Sequence, residues 1–326
     1  MENIELTIIM TTYNQERYVE KAIESAINQK ANFTYEILIG DDCSTDKTKD
    51  ICLNFAKKHP DKIRLEPRNK NIGLIDNYVD LLKKAKGKYI AFLEGDDYWI
   101  DNFKIQKQYD FLEQNDDYGL VFTNCFFLNE ENSEVNEKYK KPLQYNTGEI
   151  YNELLDANFI TAITICFKRD LIISRTLQDH QYLNKFKTID YYVILTIARI
   201  SKIGYIEDVT SVYRVHNDSI SNSKDFKKKK IFLDSTYNIK NLFLKRERAD
   251  LKKINIFQSR YFYDLFIISL NHEIVGVDNL DIDLKKVKNI FLNLYFNFIL
   301  IRKFSQFIFK LKNFLFYKFS IKFLYF

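Results

Sequence analysis

Leu6-Thr7-Ile8-Ile9-Met10-Thr11-Thr12-Tyr13-Asn14 decides the fold. An unbroken apolar and β-branched run reaches a polar Thr-Tyr-Asn corner, and helical spacing then takes over at Val19, Ala22, Ile23, Ala26 and Ile27. The order is strand, loop, helix. It recurs at Tyr35 to Ile39, which ends in Gly40-Asp41-Asp42-Cys43-Ser44-Thr45-Asp46 before helical periodicity resumes over Thr48 to Lys58. Ile63 to Leu65 reads as a short strand and Ile75 to Lys84 as a helix. Lys88 to Leu93 is a further strong strand, running into Glu94-Gly95-Asp96-Asp97. Buried strands alternating with helices predict an α/β fold, a mostly parallel mixed sheet flanked by helices, with its ligand crevice at the strand carboxyl ends. The three polar clusters are therefore expected to meet.

Further along, Gly119 to Leu128 reads as a strand and Asn129 to Lys141 as a surface loop. Thr161 to Phe167 reads as a strand near the site, and Ile189 to Arg199 as a helix opening at Asp190. Ile203 to Arg214 is strand-like with a turn at Glu207-Asp208. From Lys224 the pattern is helical, which predicts an α/β domain over 1–222 and a helical C-terminal region over 223–326.

The chain has 326 residues and 39.1 kDa, with 46% hydrophobic and 29% charged residues, a composition that buries a core and excludes disorder and disulfide-stapled mini-proteins. Its four cysteines form no metal-knuckle spacing and read as free thiols. Two acids within Met1 to Glu5 and a short apolar run after them do not make a secretory signal, so the sequence reads as cytoplasmic. The net charge of +5 is uneven: Leu284 to Phe326 holds nine Lys/Arg and no acid, which leaves 40 basic against 44 acidic residues elsewhere. Positive charge gathered in one Phe-rich terminal segment disfavours a nucleic-acid partner and suits an anionic membrane surface. The uncharged Ile290 to Ile301 run is too short to span a bilayer. A buried helix or a dimer contact is the alternative reading of the tail, and oligomerisation stays open.

Oxygen ligands at Glu94, Asp96 and Asp97 suit Mg²⁺ or Mn²⁺ bridging a diphosphate, and Gly95 allows close backbone approach. Asp42, at a different strand end, is placed to accept an imide N–H of a pyrimidine. Taken singly, each acidic cluster reads equally well as a turn with Asx capping, and Asp190 as a helix N-cap.

Taken together, Thr7 to Asn14, Glu36 to Asp46 and Phe92 to Trp99 resemble, in order and spacing, the successive motifs of the family 2 glycosyltransferases, inverting enzymes of GT-A fold. The resemblance covers about Glu2 to Ser221. It implies that Thr12, Tyr13 and Asn14 line the nucleotide pocket, that Asp42 contacts the base, and that Arg68, Asn71, Gly73 and Asn77 cover ribose and base. It also implies that Glu94 touches the ribose, that Asp96 binds the metal with Asp97 in support, and that Asp190 is the catalytic base. In Tyr213-Arg214-Val215-His216, His216 would reach the metal or diphosphate with help from Arg214. Two positions depart from the pattern: Glu94 stands where the motif most often has Asp, and Asn102 where relatives often carry Pro.

The implied function is transfer of a sugar from a nucleotide-sugar, uridine-linked, to a glycan acceptor hydroxyl. Its setting is surface polysaccharide assembly on a lipid-linked acceptor, by an enzyme peripheral at the inner face of the plasma membrane. Asn158 to Ile165 and Asp179 to Lys187 are where such enzymes bind acceptor. A nucleotidyltransferase would need a Gly- and Lys/Arg-rich first loop, and Thr11 to Arg17 has no Gly. A non-catalytic binding or scaffold protein of the same fold is the other alternative; loss of Asp96, Asp97 or Asp190 would mark it, and all three are present.

Overall fold

The computed structural model describes residues 3–130, 134–136, 147–216 and 225–271. Strands β1 (Leu6–Thr12), β2 (Tyr35–Asp41), β3 (Ile63–Pro67) and β4 (Tyr89–Phe92) are parallel and lie in the order β3-β2-β1-β4. Between them run helices α1 (Val19–Ile27), α2 (Thr48–Lys58) and α3 (Leu74–Lys84). Every residue of β1 and β2 is buried, which is why these strands read as continuous apolar runs rather than alternating ones.

The sheet continues from β4 through β8 (Ile165–Lys168), β6 (Tyr118–Asn129) and β9 (Lys202–Val215) to β5 (Tyr98–Trp99). Because β8 is antiparallel to both β4 and β6, strands β6 and β9 run in the direction of β1 to β4. The sheet is mixed and mostly parallel. Helices α4 (Lys104–Gln114), α5 (Tyr151–Asp156), α6 (Ile173–Leu183) and α7 (Asp190–Ala198) complete the layers. Strands β2 and β3 step one way from β1, whereas β4 lies on its other side, so the strand order reverses at β1. In open α/β sheets such a switch point, at the strand carboxyl ends, is where ligands bind.

Three local expectations differ from the structure. Within the expected loop Asn129 to Lys141, Glu134–Asn136 forms β7, antiparallel to the end of β6, where the projecting strand end pairs its backbone with the returning chain. The expected strand at Thr161 begins only at Ile165, because Thr164 Oγ1 donates to the Thr161 carbonyl at 2.6 Å and closes a 3₁₀ turn over Ala162–Thr164. The expected turn at Glu207-Asp208 lies inside a continuous β9; a register shift opposite Phe122 and Asn124 absorbs it, and Asn124 Nδ2 donates to the Glu207 carbonyl at 2.8 Å.

The chain divides into two compact units, Met1–Ala249 and Asp250–Phe326. Helix α8 (Phe226–Arg246) therefore belongs to the first unit rather than lying beyond a boundary at 222. It buries Tyr237, Ile239, Phe243 and Leu244. Arg246 pairs with Asp179 at 2.5 Å, Lys240 Nζ donates to the Asp156 carbonyl at 2.9 Å, and Ser235 Oγ accepts the Lys187 N–H at 2.7 Å. In the second unit the described residues form α9 (Leu251–Asn271), with Phe257 and Leu265 buried. The basic tail over 284–326 lies outside the described residues. Among those described, no helix is long and apolar enough to cross a membrane.

Candidate active site

The register of β1 against β2 sets Thr12 opposite Asp41, and its register against β4 sets Ile9 opposite Phe92. Beyond the strands the pairing continues. The Asp42 N–H donates to the Thr12 carbonyl at 2.9 Å, and the Gly95 N–H to the Thr11 carbonyl at 3.2 Å. Two clusters far apart in sequence thus flank the end of β1, as the alternating pattern requires.

The two aspartates of the first cluster do different work. Asp41 is fully buried and makes the Asx turn: Oδ2 accepts the Ser44 N–H at 3.1 Å and Oδ1 accepts the Ser44 hydroxyl at 2.5 Å. Asp42 instead accepts the backbone N–H groups of Ile72 at 2.7 Å and Gly73 at 2.9 Å, one on each oxygen. It fixes the loop before α3. Each carboxylate oxygen retains a lone pair, so the base contact expected of Asp42 is compatible with this anchoring. Gly73 has φ of 87°, a conformation that admits glycine at little cost, and Asn71 Oδ1 also accepts its N–H at 3.1 Å.

Arg68 and Asn77 are tied to the protein rather than standing open. Arg68 pairs with Asp80 at 2.7 Å and donates to Asn77 Oδ1 at 3.0 Å, while the buried Asn77 donates to the Gly40 carbonyl at 2.8 Å. Asn14, with φ of 52°, accepts the Thr45 N–H at 2.8 Å and clips the first loop to the second. Tyr13 projects outward with 46% of its surface exposed, an aromatic face available to a flat ligand. A Cβ on Gly95 would fall 2.5 Å from Gln15 Oε1 and 2.8 Å from Thr12 Cγ2. The close approach that demands glycine there comes from the protein's own first loop.

The acids form the second half of the site. Burial first, then the carboxylates of Asp96 and Asp190, push Glu94 up to about 8; the Tyr78 hydroxyl donates to it at 3.4 Å. Burial raises Asp190 to about 6, against backbone N–H groups at the start of α7 that oppose the shift. Asp190 is the first residue of that helix, Thr188 Oγ1 donates to its carboxylate, and the Ser235 bond to Lys187 steadies the approach. Asp97 is buried, which drives its carboxyl well upward, and its Oδ1 accepts the Arg214 N–H at 2.7 Å. It holds β9 against the Glu94 to Asp97 turn.

On the other side of Asp96, His216 Nε2 lies 3.0 Å from Asp96 Oδ2, and Arg214 Nη1 donates to the Asp96 carbonyl at 3.1 Å. A carboxylate oxygen and an imidazole nitrogen converging beside crowded acids suit a divalent cation, whose charge would relieve the repulsion. Among the described residues no three His, Cys, Asp or Glu side chains gather into a cage. The protein would supply Asp96 and His216, leaving the remaining positions to phosphate and water, the usual arrangement for Mg²⁺.

The geometry therefore brings together Thr12, Asp42, Glu94, Gly95, Asp96, Asp97, Asp190, Arg214 and His216, with Asn14, Arg68, Asn71, Gly73 and Asn77 shaping the loops. Asp179, in the stretch expected to meet acceptor, is instead buried and taken up by Arg175, Arg246 and the Tyr192 hydroxyl. Sequence reasoning missed Tyr18, Tyr78 and Glu130. Tyr78 sat on the apolar stripe of α3, and Tyr18 and Glu130 meet only in three dimensions.

Comparison with known proteins fits this geometry. The profile of "Glycosyl transferase family 2" matches residues 7–175. An uncharacterised protein of Mycobacterium tuberculosis is 31% identical over 218 residues, covering 67% of this chain and 61% of that protein. The chain thus spans less than two thirds of that relative. The Escherichia coli protein WfgD, a UDP-Glc:α-D-GlcNAc-diphosphoundecaprenol β-1,3-glucosyltransferase, is 30% identical over 227 residues, 69% of this chain and 82% of WfgD. Among solved structures, the mannosyltransferase PcManGT of Pyrobaculum calidifontis, in complex with GDP-Man and Mn²⁺, superposes with a TM-score of 0.56 at 16% identity, covering 93% of this chain and 82% of that one. The fold is GT-A.

Proposed function

This chain belongs to glycosyl transferase family 2, and we propose that it moves a sugar, with inversion, from a uridine-linked nucleotide-sugar to a hydroxyl of a cell-surface glycan acceptor. What carries the reading is the meeting of Glu94, Asp96 and Asp190 at the strand carboxyl ends, with His216 on Asp96. A uridine donor and a lipid-linked acceptor are what WfgD's name describes, and here they are part of the proposal.

In this mechanism Asp42 and Tyr13 hold the base. Glu94, protonated or hydrogen-bonded, faces the ribose. Asp190, as carboxylate, takes the proton of the acceptor hydroxyl. The acceptor oxygen then bonds to the anomeric carbon from the face opposite the diphosphate, and the carbon–oxygen bond to the diphosphate breaks with its electron pair. A bound Mg²⁺ or Mn²⁺, held by Asp96 and His216, would neutralise charge on the departing phosphate. Arg214 adds fixed positive charge at the same edge.

The test is a panel of UDP- and GDP-sugars incubated with the protein and Mn²⁺, with Asp190→Asn as control. Expected is hydrolysis of one donor class by wild type only. Failure to hydrolyse any donor, together with no calorimetric binding of UDP or GDP with or without Mn²⁺, would refute the reading; binding without turnover would make the chain a nucleotide-sugar-binding scaffold.

The peripheral membrane location rests on the nine basic residues over 284–326. Truncation after Asp283 is expected to abolish sedimentation with anionic vesicles containing phosphatidylglycerol while leaving UDP affinity intact. Unchanged sedimentation removes the docking role.

A further inference from the structure

Cations and aromatic rings alternate in a column beside the acids. Lys21 Nζ lies 3.6 Å from the centre of the Tyr98 ring. The Arg214 guanidinium lies 4.9 Å from the centre of the Tyr98 ring and 4.9 Å from that of the Tyr18 ring, and the Tyr18 ring centre is 5.2 Å from that of His216. Glu130 closes the far side: the Tyr18 hydroxyl donates to its Oε2 at 2.6 Å, and Arg214 Nε lies 3.8 Å from its Oε1.

We propose that Tyr18 is a positioning residue for the leaving diphosphate, its ring holding Arg214 and His216 at the phosphate edge of the site and its hydroxyl locked by Glu130. This rests on the glycosyltransferase reading of the site. Arginine carries a long, flexible side chain, and holding its guanidinium against two rings removes freedom that would otherwise be lost when phosphate arrives. Arg214 Nη1 is already committed to the Asp96 carbonyl, which sets the tilt of the guanidinium toward the residue that pairs with His216.

The consequence concerns charge. When the sugar leaves, the diphosphate bears more negative charge than it did in the nucleotide-sugar, and a fixed cationic edge stabilises the later state more than the earlier one. Tyr18 therefore acts on turnover and on the bound diphosphate, not on the nucleoside.

Calorimetry with Mn²⁺ on the full chain separates this from simple packing, because UDP carries the terminal phosphate that UMP lacks. GDP and GMP serve as a second pair. Loss of the ring in Tyr18→Leu is expected to weaken UDP by about tenfold and UMP by less than about twofold, the scale of one desolvated cation–π contact. Its kcat should fall by about tenfold at nearly unchanged donor KM. Tyr18→Phe, which keeps the ring, should recover UDP affinity to within about threefold of wild type. Glu130→Gln should behave similarly, and Tyr18→Met, which also removes the ring and should weaken UDP as Tyr18→Leu does, keeps the test decisive should Tyr18→Leu fail to fold. Equal weakening of UDP and UMP, or no weakening of either, overturns the positioning role alone. Absence of UDP and GDP binding to wild type overturns the glycosyltransferase reading, and this inference with it.

Discussion

Asp190→Asn is expected to lower sugar transfer by about a thousandfold, within the range a positioned general base supplies, while UDP binds within about twofold of wild type. Asparagine keeps the shape and can still accept from the Thr188 hydroxyl and the α7 N–H groups, but it has no lone pair basic enough to take a proton. The pH profile gives a second reading of the same residue. Burial raises Asp190 from 3.8 to about 6, so wild-type kcat should drop about tenfold per unit as pH falls below 6, and the residual activity of the variant should lack that limb. Stability should move the opposite way. Because the folded state holds the Asp190 proton more tightly than the unfolded chain, stability falls as pH rises from 3.8 toward 6. Above that window the charged, desolvated carboxylate costs the folded state on the order of 3 kcal/mol. Asp190→Asn should therefore melt at or a few degrees above wild type at pH 8, as expected where a fold carries strain for catalysis. Retention of more than a tenth of the transfer rate, or an acid limb unchanged by the substitution, would exclude Asp190 as the base.

The half of the sheet built from β1 to β4 was legible because its signals are local. Continuous apolar runs at β1, β2 and β4 ended in polar corners, and parallel topology alone placed those corners side by side. The rest of the chain was harder to read. The Thr161 segment has strand composition, yet a single hydroxyl-to-carbonyl bond turns it. Lys104 sits fully buried, its Nζ donating to Gln108 at 2.5 Å and lying 4.6 Å from the Trp99 ring. Nothing in a lysine's neighbours along the chain announces that burial. Helix α8 looked like the start of a separate region because its contacts, Arg246 with Asp179 and Ser235 with Lys187, are made to residues about 50 to 70 positions away. The acids themselves were visible as types, but their division of labour was not. Asp41 as turn former, Asp42 as loop anchor and Asp97 as the holder of β9 are distinguishable only by which N–H each one accepts.

Asp96→Asn should flatten the response to metal from both ends. Wild-type UDP affinity is expected to rise steeply with Mn²⁺, because the cation offsets the negative charge that Asp96 brings to a site already crowded by Glu94 and Asp190. Without metal, that same charge repels the diphosphate, so the variant should bind UDP more tightly than wild type in chelator and gain little when Mn²⁺ is added. Turnover should fall by about a hundredfold or more, the scale of losing one preorganised charge-stabilising group. Asparagine can still hydrogen-bond His216 across the 3.0 Å gap, which separates loss of the charge from collapse of the loop. If Asp96 and His216 serve one ion, their effects cannot add: Asp96→Asn with His216→Asn should be little worse than either alone, whereas independent roles would multiply. Undiminished enhancement of UDP binding by Mn²⁺ in Asp96→Asn, or multiplicative losses in the double variant, would place the cation elsewhere and leave Asp96 a partner of His216 alone.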